Sequence, residues 1–209
     1  MKQHPLGAKR WAALLIFGLF GQLAWTIENM YFNVFVYNTI STDPGVIANM
    51  VAASAITATL TTLLMGALSD RLGRRKAFIV VGYLLWGASV ASFAFLSTSN
   101  MAKLFPAANA VQTAALMVVI MDCVMTFFGS SANDAAFNAW VTDITHEDNR
   151  GRVESVLSVL PLVAMLIIFG GFSWMTDAGR WSDFFLLFGA LVTAGGLAGL
   201  VFVGEVPHP

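Results

Sequence analysis

Six long apolar runs, separated by short polar breaks, dominate the pattern along the chain. Each run reaches the about 20 residues that a bilayer crossing needs, and a single run can satisfy its own backbone in hydrocarbon only as a helix. We therefore predict an all-α membrane protein with six transmembrane helices, at residues 11–39, 46–69, 77–97, 107–144, 153–174 and 183–203. The breaks are too short for a soluble domain. This organisation predicts a tail at 1–10, a six-helix bundle at 11–203 and a short segment after the last helix at 204–209.

The basic residues indicate an orientation for these helices. If the N-terminus is cytoplasmic, nine of the 11 Lys and Arg residues fall on the cytoplasmic side: three in the tail, four at 71–76 and two at 150–152. Positive residues are enriched in cytoplasmic loops. We therefore predict that both termini are cytoplasmic, in an integral multi-pass protein of the cytoplasmic (inner) membrane.

Composition excludes several other classes of protein. The 209 residues are 57% hydrophobic and 11% charged, which is far too apolar for a typical soluble domain. A net charge of −1 provides no basic field for nucleic acid, so no nucleic-acid partner is expected. A lone Cys123 excludes a disulfide scaffold. His4, His146 and His208 show no metal-ligand spacing, and no Ser/His/Asp or Cys/His arrangement indicates an enzyme. We expect no metal and no cofactor.

The break after the second run has an unusual pattern of glycine, acid and base, Gly66-Ala-Leu-Ser-Asp70-Arg71-Leu-Gly73-Arg74-Arg75-Lys76. Gly66, near a helix end, is expected to allow close approach of another helix. Gly73 permits a turn with positive φ, and Asp70 can accept backbone hydrogen bonds or pair with an arginine. A loop that only sets topology would need the basic residues alone.

This loop resembles the G-x-L-x-D-R-x-G-R-R-K signature of the major facilitator superfamily at every defining position. The resemblance implies the N-terminal six-helix half of such a transporter, built as a 3+3 inverted repeat, with a cytoplasmic tail at 1–10 and the start of a central cytoplasmic linker at 204–209. It also implies that the loop latches the two halves in the outward-open state. The residues expected to form this latch are Gly66, Asp70, Arg71, Gly73, Arg74 and Arg75.

The fourth run carries an acid, Asp134, followed by Phe137 and the pair Ile144-Thr145. This stretch resembles the D-x-P-[YF] region of the glycoside–pentoside–hexuronide cation symporters, with Ala136 in place of the proline. The resemblance implies that Asp134 serves the sugar and coupling-ion region. At about 1.5 Å per residue, Asp134 is expected near the middle of the bilayer, where an ionisable group is a functional hypothesis by default.

Two further expectations concern the same run. Asp122, a dozen residues from Asp134, is expected to be wet or interfacial, because the helical rise places it about 35 Å from the cytoplasmic end. A purely structural alternative exists for Asp134: its carboxyl could be tied off by Ser130, Ser131 or Asn138, one turn away.

The first run bears an unusual polar load for a transmembrane helix. Gln22, Trp25 and Asn29 are spaced three and four residues apart, which aligns them on one face, and Glu28 lies beside them in the predicted outer third. Amides, an acid and an aromatic ring suit sugar binding, although such residues also serve as hydrogen-bonding contacts between helices. The predicted substrate-binding residues are Gln22, Trp25, Glu28, Asn29, Asp134 and Asn138, and Asp134 and Glu28 are also the candidate coupling-ion residues.

The resemblance to the cation symporters is incomplete at the sodium ligands. Where that family has acids in the second helix, this run has hydroxyls, at Ser54, Thr57, Thr59, Thr61 and Thr62. Proton coupling or uniport is therefore favoured over sodium coupling.

The leading hypothesis is secondary active transport of a sugar or glycoside by alternating access, coupled to a proton or another cation. The expected partners are a small-molecule solute, H⁺ or Na⁺, the lipid bilayer, and a second six-helix half or a second copy of the chain. The competing hypothesis is an isolated half or truncated product that acts only as a membrane assembly partner. The pair Gly195-x-x-x-Gly199 gives the last helix a close-packing face, which could meet that second half or copy.

Overall fold

The computed structural model describes residues 6–204, so the first part of the predicted tail and nearly all of the predicted linker lie outside the described residues. Within that range the chain is helical and forms no strand. Six helices are long and apolar enough to cross a membrane, which confirms the predicted fold class. They are α1 (Ala8–Thr39), α2 (Pro44–Leu72), α3 (Arg75–Phe95), α4 (Ala110–Ile144), α5 (Glu147–Asp177) and α6 (Trp181–Phe202). A short helix, Thr98–Leu104, connects α3 to α4.

The short polar breaks end one helix and begin the next through local capping. Asp43 caps α2, where its Oδ1 accepts the Gly45 N–H at 2.8 Å and Pro44 occupies the first turn. Asn109 caps α4 in the same way, with its side-chain oxygen accepting two backbone N–H groups. The other end of α2 is closed by Gly73, which has φ 61° in the left-handed region that favours glycine.

The most extensive helix–helix contact in the bundle is the one between α3 and α6, and glycines bring these two helices close together. A Cβ at Gly87 would lie 2.6 Å from the carbonyl oxygen of Gly189, and a Cβ at Gly189 would lie 2.7 Å from that of Gly87. At this crossing the backbones are close, and the nearest side chains are the small ones of Thr193 and Ala91, as small residues permit in membrane bundles.

The way the helices pair is symmetric. Helix α1 packs on α5 and α6, while α4 packs on α2 and α3, and α3 packs on α6. Exchanging α1 with α4, α2 with α5, and α3 with α6 leaves this pairing unchanged. A 3+3 repeat predicts such a pattern.

The glycine pair of α6 faces the bundle's own first helix. A Cβ at Gly195 would lie 2.5 Å from the ring of Phe20, and one at Gly199 would lie 2.7 Å from that of Phe17. The expectation that this face meets a second half or copy is therefore wrong. Glycine spacing indicates that something packs closely, and here two phenylalanine rings of α1 fill the space.

Helices α2 and α5 lie at the outside of the bundle. Only 6% of the most apolar stretch of α2 and 17% of that of α5 is buried, against 44% in α3 and α6 and 50% in α1. Large side chains such as Leu64 on α2 and Leu166 on α5 are exposed. These two helices therefore present the least covered apolar surfaces of the bundle.

Candidate functional site

Two adjoining cavities lie among α1, α2, α4 and α5. The larger has a volume of about 420 Å³ and the smaller about 140 Å³, and the two share Gln22, Trp25 and Asp134 in their walls. Together they bring the six predicted binding residues into one region. The larger cavity is lined by Gln22, Trp25, Glu28, Asn29, Val51, Ser54, Ala55, Ala58, Thr126 and Asp134. The smaller is lined by Gly18, Gln22, Trp25, Asn133, Asp134, Phe137, Asn138 and Leu157.

The backbones of α1 and α4 both widen where they meet this region. Residues Ile27–Tyr31 of α1 and Ser130–Phe137 of α4 form π-helical turns. Such turns place an extra residue in the helix and are frequent at functional sites. Polar side chains satisfy nearby carbonyls: the Asn29 amide donates to Trp25 O at 2.8 Å, and the Asn138 amide donates to Asp134 O at 3.2 Å.

The Trp25 indole is held by a chain of hydrogen bonds that crosses three helices. Its N–H donates to Asn133 Oδ1 at 3.3 Å, and the Asn133 amide donates to the Tyr83 hydroxyl at 2.6 Å. That hydroxyl donates in turn to Phe17 O at 2.7 Å. Gly21 leaves room for this chain, because a Cβ there would collide with Asn133 and Tyr83. Asn133 and Tyr83 are not among the residues predicted from the sequence. The signal for a role at this site would have been their polarity within apolar runs.

Glu28 is buried, with 9% of its surface exposed. Its Oε1 accepts a hydrogen bond from the Thr126 hydroxyl at 2.7 Å. The other oxygen, Oε2, has no hydrogen-bond partner among residues 6–204. Glu28 is thus fixed against α4 at one oxygen and left unsatisfied at the other.

The expectation that Asp122 is wet or interfacial is wrong. Its exposed fraction is 1%, and it lies on α4 one turn before Thr126. Helical rise locates a residue along the axis and says nothing of the face it occupies, and this face is turned inward. A signal was present in the sequence: polar residues recur at every fourth position of α4, at Asp122, Thr126, Ser130, Asp134 and Asn138.

Asp134 is half-buried in the wall shared by the two cavities. Two of the three neighbours that could have tied off its carboxyl donate elsewhere. The Ser131 hydroxyl donates to Phe127 O at 2.6 Å, and the Asn138 amide donates to the backbone carbonyl of Asp134. The Ser130 hydroxyl is buried and has no hydrogen-bond partner among the described residues.

The titratable side chains that line the two cavities are acidic. Glu28 and Asp134 are in their walls, and no Lys or Arg lines either cavity. Within the described part of the chain no group of three or more His, Cys, Asp or Glu side chains gathers at one point. The region offers carboxylates, hydroxyls, amides and one indole, a set suited to a hydroxyl-rich solute and to small cations.

The predicted latch residues are divided by the structure into a buried and an exposed group. Arg75 is buried, with ion pairs to Asp70 and to Asp143 (3.1 Å), and it donates to the Ser69 hydroxyl at 2.6 Å. Arg71 and Arg74 are exposed. Asp143, at the end of α4, was not selected from the sequence, because nothing in the linear pattern places it opposite the loop.

The two glycines of the loop differ. Gly73 has the positive φ that was expected of it. For Gly66, a Cβ would meet nothing within 4 Å among the described residues. The expectation that Gly66 admits a neighbouring helix is therefore wrong within this bundle, because no helix of residues 6–204 crosses α2 at that point.

Comparison with known proteins gives one match. The family model described as Major Facilitator Superfamily matches residues 14–209, nearly the whole chain. No curated protein sequence and no solved structure gives a significant match.

Proposed function

Because the chain belongs to the major facilitator superfamily, a family of solute transporters of the membrane, we propose that it carries a sugar or glycoside across the cytoplasmic membrane. The family and the six apolar helices make it an integral, multi-pass membrane protein that transports a small solute. The proposal adds the substrate class, symport with a proton or another cation, and cytoplasmic placement of both termini.

The observation that carries the proposal is the set of side chains around the two cavities. Gln22 and Asn29 offer amides, and Asp134 offers a carboxylate, all of which can bind pairs of sugar hydroxyls. Trp25 offers a ring that is fixed in place, and a fixed ring binds the apolar face of a sugar at little entropic cost. Asn138 extends the polar wall into the smaller cavity.

The transport cycle follows from this placement. Solute binds between α1 and α4, and the six-helix bundle rocks against a second bundle to open the site alternately to each side. Glu28 and Asp134 are the candidate coupling residues. A latch favours one of the two states. It consists of the loop residues Gly66, Asp70, Arg71, Gly73, Arg74 and Arg75, and it includes the ion pairs of Arg75.

Uptake of labelled glycosides into proteoliposomes tests the function. The purified chain is reconstituted and a panel of glycosides is supplied with and without an inward proton gradient. We expect accumulation of at least one glycoside, and a loss of at least about tenfold in Asp134→Asn, since a carboxylate–hydroxyl bond contributes about 1.5–3 kcal/mol.

The matched control is Asp183→Asn, because Asp183 is exposed and its ion pair within residues 6–204 is with Arg180, the residue just before α6. Full uptake in Asp134→Asn would remove that residue from the site. Failure of every glycoside would remove the substrate class and leave the family's solute transport standing.

A second candidate, assembly with another membrane protein, is favoured by the uncovered faces of α2 and α5. In this candidate a second six-helix half or a second copy covers those faces. Crosslinking in detergent followed by size analysis measures it. A species well above the 22.5 kDa monomer supports assembly, and a monomer that transports glycosides would contradict it.

A further inference from the structure

A groove of about 290 Å³ opens on the outer surface of the bundle, and it shares no lining residue with the two polar cavities. Helices α2, α3 and α4 line it, and α4 packs against both of the others. Val81 and Leu85, in its wall, are exposed, so the groove faces the lipid that surrounds a membrane bundle. The residues that α3 contributes are Ala77, Phe78, Val81, Gly82 and Leu85.

The lining of this groove is apolar. Helix α2 contributes Met65, and α4 contributes the rings of Phe127 and Phe128. The polar side chain among the lining residues is that of Ser131, and its hydroxyl donates to Phe127 O at 2.6 Å. The groove therefore offers contact surface for a hydrocarbon chain and no free hydrogen-bonding side chain for a polar solute.

The groove runs along α3 from the membrane surface toward the middle of the bilayer. Its α3 residues follow Arg74 at the three- and four-residue spacing of one helix face. From Arg74 to Leu85 the rise is about 16 Å, roughly half of the ~30 Å hydrocarbon core. Its length therefore suits a single acyl chain of the membrane leaflet whose surface meets Arg74.

The charge at the surface end of the groove is positive. Arg74 is exposed and makes no ion pair within residues 6–204. The acid of the same loop, Asp70, pairs with Arg75 instead. Arg71, in the last turn of α2, is exposed as well. The loop thus presents uncompensated positive charge beside an apolar groove.

An apolar groove that ends beside an unpaired cation is complementary to a phospholipid of negative charge, because basic residues at the membrane surface attract anionic lipids. We propose that one anionic phospholipid binds here, with an acyl chain in the groove and its phosphate paired with Arg74. A zwitterionic lipid carries its own cation beside the phosphate, and that cation competes with Arg74. The site does not involve the solute, so it stands independently of the proposed glycoside transport.

Native mass spectrometry of the full chain, released from detergent micelles and titrated with phosphatidylglycerol or phosphatidylcholine, tests the site. The measured quantity is the Kd of the first bound lipid. We expect phosphatidylglycerol to bind about fivefold more tightly than phosphatidylcholine, the factor that one basic residue near a membrane surface contributes. Glycerophosphoglycerol, the same headgroup without its acyl chains, is expected not to compete.

Two substitutions separate the acyl chain from the headgroup. Val81→Trp fills the groove and is expected to weaken binding of both lipids by about fivefold or more, because the acyl chain loses its van der Waals contacts. Arg74→Gln is expected to remove the preference for phosphatidylglycerol and to leave the Kd of phosphatidylcholine unchanged. Because Arg74 is an exposed residue just before α3, this variant gives a result even if Val81→Trp does not fold.

Each substitution has a matched control elsewhere on the bundle. Leu197→Trp introduces the same ring on α6, at a residue that is 53% exposed, as Val81 is. Arg150→Gln removes an exposed arginine from α5. Both controls are expected to bind the two lipids with the Kd values of the wild type.

Equal Kd values for the two lipids in the wild type, or an unchanged Kd in Val81→Trp, would overturn the proposal. A loss of the same size in a control would also overturn it, because the lipid would then be attracted to the protein surface in general. Competition by glycerophosphoglycerol would mean that no acyl chain occupies the groove. A species of twice the monomer mass that dissociates in Val81→Trp would assign the groove to a second copy of the chain instead.

Discussion

The contact between α3 and α6 differs from the region between α1 and α4 in how tightly the helices pack. At the first, Gly87 and Gly189 bring two backbones together with only the small side chains of Thr193 and Ala91 beside them. At the second, the helices widen into π turns, and the Trp25 indole is held through Asn133 rather than by close packing. The first contact is densely packed, and the second is polar and contains cavities.

The difference shows which contacts stabilise the bundle and which region is less tightly packed. In hydrocarbon, helices gain little from burying apolar side chains, so close backbone packing and interhelical hydrogen bonds hold them together. The α3–α6 contact supplies the packing. The region between α1 and α4 lacks this close packing. It contains cavities and buried acids with unsatisfied oxygens, as binding sites do.

Gly87→Val is expected to have the largest effect, because it places a branched side chain between two backbones. Overpacking costs about 1–3 kcal/mol where neighbours can shift, and at this point the neighbours are backbone atoms of α6. We expect loss of the monodisperse peak in size-exclusion chromatography. Gly151→Val is the control, since a Cβ at Gly151 meets nothing within 4 Å. Equal yields of the two variants would show that α3 and α6 are not held by this contact.

Tyr83→Phe is expected to come next. It removes the hydroxyl that links Asn133 to Phe17 O and leaves buried polar groups unsatisfied, at a cost of about 1–3 kcal/mol. Thermal unfolding in detergent measures the loss. Tyr37→Phe, at an exposed position of α1, is the control and should unfold like the wild type. An unchanged transition in Tyr83→Phe would mean that the hydrogen-bond chain contributes nothing to stability.

Trp25→Phe should separate binding from stability. A smaller aromatic ring remains and the donor to Asn133 is lost, so the ring is no longer fixed. One neutral hydrogen bond contributes about 0.5–1.5 kcal/mol, which corresponds to about a twofold to tenfold rise in the KM for glycoside uptake. Trp174→Phe, at an exposed Trp of α5, is the control. A KM that stays constant while thermal stability falls would assign Trp25 to the scaffold.

Gly66→Ala is expected to have the smallest effect on stability. The new Cβ meets nothing within 4 Å, and alanine is favoured over glycine within a helix by up to about 1 kcal/mol. We expect thermal unfolding at the wild-type temperature or slightly above it. A loss of transport without a loss of stability would show that a partner packs on Gly66. A clear destabilisation of the isolated chain would contradict the open environment that the structure gives this residue.

The sequence was sufficient for the number and placement of the helices, because hydropathy depends on composition over a window of residues. It was also sufficient for Gly73, since a positive φ is a local property. It failed where a partner had to be identified. Gly195 and Gly199 signalled close packing correctly, but only the folded bundle shows that Phe20 and Phe17 are what they pack against.

Among the acidic residues of the site, the sequence likewise predicted some positions correctly and one wrongly. The sequence selected Glu28 and Asp134, and the structure places both in the wall of the larger cavity. The expectation for Asp122 is wrong, because the distance of a residue from a helix end does not determine its access to solvent. Recurrence at every fourth residue, with Thr126 between Asp122 and Asp134, indicates the buried face of α4 and was the better guide.

The Arg75 ion pairs have a mechanical consequence. One guanidinium holds the last turn of α2 through Asp70, the first turn of α3 through its own backbone, and the last turn of α4 through Asp143. Three rods joined at one end behave as a tripod, in which a tilt of any leg must pivot about the joint. A tilt of α4 about this joint would therefore move the far end of the helix, near Ala110, more than it moves Asp134.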